Sequence, residues 1–236
     1  MKCEELDSLF RQIPACSDVE GGIRVTTHCL YPSSDNVEIF IGERNGGYRI
    51  TDGGGAWRNA QRLGRASDNI FERACKRHSV EVAGGIIVAH APHQEWVHAA
   101  AIAVANASAM AARTALEMSA RAEKSLNASI LDALSRNVPS HKIARNYEYR
   151  GRSGHLWPID FAVFDNEVML LKSVTPNGNS INSSYATFGD IGDQPDLTKI
   201  AVFENELRPD NAALLRQVAS LVPLKALEIT VSQGLH

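Results

Sequence analysis

Apolar residues recur along this chain with two periods, and the changes of period mark out its elements. Leu6, Leu9, Phe10 and Ile13 fall three and four apart, the spacing of one helix face. Pro14 ends that helix, and three short strands are expected over 22–27, 37–41 and 48–51. Asn45-Gly46-Gly47 between the last two predicts a tight hairpin, because glycine and asparagine tolerate the positive φ of a two-residue turn. Asp52-Gly53-Gly54-Gly55 follows and leads into a helix over 56–64. A second helix is expected over 68–78, with Asp68 placed to cap it. Residues 80–90 read as two strands turning at Gly84-Gly85. A long helix is then expected over 92–123, with Pro92 in its first turn, where a missing N–H costs nothing.

The second half opens with a helix over 126–137. Strands are expected over 144–149, 156–164 and 167–174, then a loop over 175–184 rich in Asn, Ser and Gly. A short helix over 184–190, a strand over 198–203, a helix over 211–221 and a strand over 224–231 complete the pattern. The order is αβββ(α)βαβ. The expected class is α+β or α/β, in three parts: a small α+β domain over 1–91, an Ala-rich connecting helix over 92–123, and a C-terminal domain over 124–236.

Composition sharpens this reading. Among 236 residues, 44% are hydrophobic and 22% charged, enough apolar material for more than one core. Cys3, Cys16, Cys29 and Cys75 form no CxxC pair and read as reduced thiols of a cytoplasmic protein. The first twenty residues are too acidic and polar for a secretory signal. The segment 96–112 has no charged residue, but it is built on Ala and contains His98, Asn106 and Ser108. It lacks the Leu and Ile density of a membrane span. An uncharged Ala-rich face would be wasteful in water, so the helix is expected to pack against another helix, in this chain or in a homodimer through 92–120.

Charge is unevenly distributed around a net −3. Arg121, Lys124, Arg136, Lys142, Arg145, Arg150 and Arg152 give residues 121–152 a net +4, whereas residues 153–236 carry −5. Such a patch suits a phosphate backbone, with Lys142, Arg145, Arg150 and Arg152 as the candidate nucleic-acid contacts. A solvated face, or a partner for the acidic C-terminal third, is the plainer alternative.

The residues with most chemical content are Asp160, inside one expected strand, and Lys172, inside the next, joined by Asp165-Asn166-Glu167. A carboxylate can hold Mg²⁺, which activates water and stabilises charge developing on a phosphate, and a nearby lysine can orient or deprotonate that water. The helix, the meandering strands, the Asp and the Lys together resemble the restriction-endonuclease-like superfamily over residues 125–231. That resemblance implies a metal-ligand role for Asp160 and the catalytic-lysine role for Lys172. It also implies an acid two residues before the lysine, where this chain has Leu170. Glu148 on the preceding strand is the candidate for a migrated acid.

Tyr48-Arg49-Ile50-Thr51-Asp52-Gly53-Gly54 resembles the strand, T-D-x-G turn and helix pair of a family of uncharacterised bacterial and phage proteins. Those proteins often carry a second domain of unknown function, and the resemblance covers residues 5–120 without implying an activity. Read physically, Asp52 can accept backbone N–H groups at the next helix start, while the glycines allow the turn. A bound anion at that helix N-terminus is the alternative. No Gly-Lys-Ser/Thr follows, so it is not a P-loop. His93 and His98 lie about 140° apart around a helix and share no face with each other, so His90, His93 and His98 do not read as a metal site. No local signature marks a Ser or Cys nucleophile. The 177–184 stretch reads as a solvated loop or a recognition loop.

The leading expectation is an accessory protein whose degenerate nuclease-like domain binds nucleic acid, or a nucleic-acid-handling protein, without robust cleavage and without a cofactor. A Mg²⁺-dependent nuclease using Asp160, Lys172 and Glu148, and a phage or mobile-element protein that regulates a host defence complex, stand as alternatives.

Overall fold

The computed structural model describes residues 16–165 and 167–234, so the helix expected over 4–13 lies outside the described residues. The chain divides into two compact units, residues 1–118 and 119–236. Each has its own sheet, and helices and strands mix in both, which makes the class α+β.

The first unit holds an antiparallel sheet of β1 (Cys16–Val19), β2 (Gly22–Leu30), β3 (Asn36–Arg44), β4 (Gly47–Thr51), β5 (Glu81–Ala83) and β6 (Ile86–Ala91), in the order β1-β2-β3-β4-β6-β5. Arg44 pairs with Gly47, leaving Asn45 at φ 52° and Gly46 at φ 79° as the two-residue turn that the sequence predicts. Between β4 and β5 lie α1 (Gly55–Arg62) and α2 (Asp68–His78). Ser67, not Asp68, occupies the N-cap of α2; Asp68 is the first helical residue, where its charge favours the positive end of the helix.

Alternation along the strands sends Val37 and Ile39 of β3, Ile50 of β4 and Ile87 of β6 into a core shared with Ala56, Ala60, Ile70, Phe71 and Ala74 of the two helices. The opposite face of that sheet carries Arg24 and His90, which are exposed, and Phe40 and Arg49, which are half-buried.

The long helix differs from expectation at both ends. Pro92 is not helical; a 3₁₀ turn at Gln94–Trp96 precedes α3, which runs unbroken from Val97 to Asn137. Its 41 residues extend about 60 Å. The helices expected over 92–123 and 126–137 are therefore one element, because no Gly or Pro interrupts the sequence between its ends. By length and composition α3 could cross a membrane. Its Val104, Ala105, Ala107, Ala111, Ala112 and Ala115 are instead buried in the first unit's core. Small side chains let the helix approach closely, so these residues are covered within their own chain, whereas Ile102, Leu116 and Met118 of the same helix are exposed.

From Ser119 onward α3 belongs to the second unit. There β7 (Ile143–Arg150), β8 (Leu156–Phe164) and β9 (Val168–Val174) form an antiparallel meander. α4 (Gly178–Ile191) crosses to β10 (Leu197–Phe203), and α5 (Pro209–Arg216) crosses to β11 (Ser220–Pro223); these last two strands run parallel to β9. The sheet order is β11-β10-β9-β8-β7. One face packs Phe161, Val163, Met169, Leu171 and Ile200 on Leu126, Ile130 and Leu134 of α3. The other packs Ala162, Leu170, Val174 and Ala201 on Ile181, Phe188 and Ile191 of α4.

The expected element order holds through α5 and fails after it: the helix expected over 211–221 ends at Arg216, and residues 220–223 form β11. Residues 224–231 are not a strand: Pro223 ends β11, and α6 (Leu227–Gly234) buries Leu227 and Val231, four apart. The polar stretch 177–184 is not a loop either. Asn177 accepts a bond from the Ser180 backbone N–H at 2.7 Å and caps α4, so the Asn, Ser and Gly residues start a helix. Asn177→Ala should destabilise the second unit by about 1–2 kcal/mol, read as a fall of a few degrees in the thermal midpoint by circular dichroism.

Candidate functional site

The pairing of β8 with β9 matches Phe161 to Leu171 and Ala162 to Leu170. One step beyond those pairs, Asp160 stands level with Lys172. Neither side chain reaches for the other. Asp160 Oδ2 accepts bonds from the Ser173 backbone N–H at 2.7 Å and the Ser173 hydroxyl at 3.0 Å. Lys172 is buried, at 8% exposure, and its ammonium donates to the Pro158 carbonyl at 2.9 Å. The two strands part at this level, and the two side chains take up ladder groups that the separation leaves open.

A break in alternation explains the geometry. Ala144 and Ala162 pack toward α4, and so do Tyr147 and Ile159, an odd number of residues away along each strand. The step lies at Asn146, whose φ is 49°, beside Asp160. Such irregularities re-aim a side chain, and here the re-aimed carboxylate meets the backbone of β9.

Leu170, where the resemblance implies a second acid, is 0% exposed. It lies between its paired neighbours Ala162 and Lys199 and belongs to the cluster of Ile181, Phe188 and Ile191. Lys199, which sequence reasoning missed, is also buried. Its ammonium donates to Asp193 Oδ1 at 2.7 Å and to the Phe188 carbonyl at 3.4 Å. That hydrogen bond, and then the lysine's charge, hold the Asp193 carboxyl below its usual range.

Glu148 does not join the site. It is exposed, pairs with Pro158, and lies between Tyr147 and Tyr149, which pack toward α4, so it points to the face opposite Lys172. Among the described residues, no three His, Cys, Asp or Glu side chains gather to hold a metal ion. Among the described residues, Asp160 belongs to no such group.

Three of the four basic candidates are already engaged. Lys142 pairs with Asp165 at 2.6 Å. Arg150 donates to the Gly154 carbonyl at 3.1 Å. Arg152 donates to the Gly189 carbonyl at 2.7 Å and the Asp190 carbonyl at 3.2 Å, placing a cation at the C-terminus of α4. Asp190 secures the same loop, accepting from the Trp157 indole and the Ser153 hydroxyl, each at 2.6 Å. The Ser153 hydroxyl and then the indole hold its carboxyl below the usual range. Arg145 alone of the four is exposed and uncommitted.

The Asp52 turn in the first unit is a different kind of site. Its carboxylate, 1% exposed, accepts four bonds: Gly54 N–H at 2.9 Å, Ile87 N–H at 3.0 Å, Ala56 N–H at 3.1 Å and the Ser108 hydroxyl at 2.8 Å. The proton of Ser108 goes to Asp52, so Tyr31 donates to Ser108 across 2.8 Å. The N-terminus of α1 is occupied by the chain's own carboxylate and offers no anion site. Gly54 at φ 76° makes the turn, and a Cβ on Gly55 would fall 2.2 Å from the Tyr31 hydroxyl. Burial pushes the Tyr31 phenol up to about 12. Ser108 and Tyr31 lie far from Asp52 in sequence; the only local signal was a lone hydroxyl in the alanine run of α3.

No family model matches the chain, and no curated protein matches it. Among solved structures it is similar to the crystal structure of protein VC1899 from Vibrio cholerae, at 13% identity and a TM-score of 0.33, over 97% of this chain and 71% of that one. A likeness at that level transfers neither fold nor function.

Two outcomes test the Asp52 network. Asp52→Ala leaves three backbone donors and a hydroxyl buried without their acceptor, and should destabilise the first unit by about 3–5 kcal/mol in urea unfolding. The Tyr31 phenol titrates higher when folded than when unfolded, so its contribution is full below pH 10 and is lost as pH rises toward about 12. Tyr31→Phe should flatten the alkaline fall in stability over that window by up to about 3 kcal/mol.

Proposed function

We propose that this is a cytoplasmic accessory protein that binds nucleic acid, with a C-terminal domain that has the endonuclease-like arrangement and not its chemistry. The observation that carries the reading is the pair Asp160 and Leu170. The acid stands level with Lys172 on the neighbouring strand, in a five-stranded sheet that begins with an antiparallel meander and ends with two strands added parallel to β9. The position two residues before the lysine is a fully buried leucine. A hard divalent cation favours several oxygen ligands, and Asp160 has its carboxylate engaged by Ser173. The Lys172 ammonium is held by the Pro158 carbonyl. What remains of such a domain is a scaffold, and binding without cleavage is the activity a scaffold can retain. An origin in phage or mobile elements fits the T-D-x-G resemblance and belongs to the same proposal.

The test is a cleavage assay on single- and double-stranded DNA and RNA with Mg²⁺ or Mn²⁺, comparing wild type with Asp160→Ala and Lys172→Ala. We expect no activity above that of the two variants. Robust cleavage by the wild type that both variants lose would replace this reading with a nuclease. Absence of nucleic-acid binding at low salt would turn it toward a protein partner.

A further inference from the structure

We propose that the phosphate-binding surface of this protein is on its N-terminal unit, in the groove lined by Arg44, Arg49, His90 and His93, and that it takes a single-stranded nucleic acid. The proposal rests on the nucleic-acid-binding reading above and moves its site. The groove encloses about 780 Å³ around the β3–β4 turn and the end of β6. Its walls carry two arginines, two histidines and no carboxylate. Among the described residues none of these four side chains has a hydrogen-bond or ion-pair partner. In the C-terminal basic run, by contrast, Lys142, Arg150 and Arg152 are held by Asp165 and by backbone carbonyls. Cations already satisfied within the fold gain less from a phosphate than cations that are not.

The backbone arranges the four for one ligand. Arg49 and His90 are directly opposite on β4 and β6, which brings their Cβ atoms to about 5 Å on one face. Arg44 lies two residues beyond Gly42, the partner of Arg49, a diagonal of about 7–8 Å on the same face. His93 lies two residues past the end of β6. Arg44 and Arg49 also line a second groove that reaches Phe40 and has Glu20 and Glu43 in its wall. Phe40 is half-buried, with its ring over Gly53, where a Cβ would fall 2.6 Å from the ring. Arginines that track phosphates beside an aromatic ring are the elements of a single-strand platform. A free nucleotide would meet the same phosphate chemistry in the first groove alone.

The experiment is fluorescence anisotropy with a labelled DNA strand of about 20 nucleotides at about 50 and 200 mM salt, comparing wild type, Arg44→Ala/Arg49→Ala, Phe40→Ala and Arg145→Ala. Thermal midpoints check that each variant is folded. The double variant should weaken binding at least about tenfold and lower the salt slope by about two, whereas Arg145→Ala leaves both nearly unchanged. Phe40→Ala should weaken the strand and leave ATP binding unaltered. Strand binding that survives in the double variant and is lost with Arg145→Ala overturns the proposal and keeps the proposed function. ATP binding through Arg44 and Arg49 with no strand binding overturns the strand assignment. A wild type that binds neither overturns both.

Discussion

The Asp52 carboxylate accepts hydrogen bonds from four directions, and most of the first unit depends on their agreement. Its partners come from the turn after β4, the first residues of α1, strand β6 and the middle of α3, with Tyr31 joined through Ser108. An ionised group taken from water is unfavourable unless every lone pair finds a donor. The elements are consequently fixed relative to one another by a polar group, while the apolar residues around it tolerate some repacking. Leu, Ile and Ala can fill a space in several ways; four donors aimed at two oxygens have far fewer solutions.

The second unit uses a carboxylate in a related manner. Asp160 stands where β8 and β9 part, and it supplies an acceptor that the neighbouring strand no longer provides. In both units an acid is occupied with backbone donors, as the sequence suggests for Asp52 and does not for Asp160. The contrast with Arg44 and Arg49 is instructive, since among the described residues those side chains have no hydrogen-bond or ion-pair partner and line a groove. A polar group without a partner in the fold is a better guide to binding than a polar group in a familiar pattern.

Local patterns were legible where chemistry is local. Asn45-Gly46 and Gly84-Gly85 specify their turns, and the strands follow from alternation. The role of Asp52 in capping α1 could be read from the glycines after it. The Ser108 bond could not, because it joins residues 56 apart. At Asn177, polar residues that start a helix and polar residues that fill a loop look alike until the cap is seen. Leu227 and Val231 suit a strand as well as a helix in sequence, because a short apolar run does not declare its period. Around Asp160, the order of acid and lysine was visible, whereas the break at Asn146 and the engagement of Lys142, Arg150 and Arg152 depend on tertiary contacts.

The uninterrupted course of α3 bears on how the protein can be divided. The boundary between the units falls at Met118 and Ser119, inside a helix whose earlier residues complete one core and whose later residues complete the other. Cutting the chain there would create two new helix ends and deprive the flanking turns of their backbone partners. Expression fragments chosen by compactness alone would thus begin or end within a structural element. Fragments that overlap through the whole of α3 would keep each core intact.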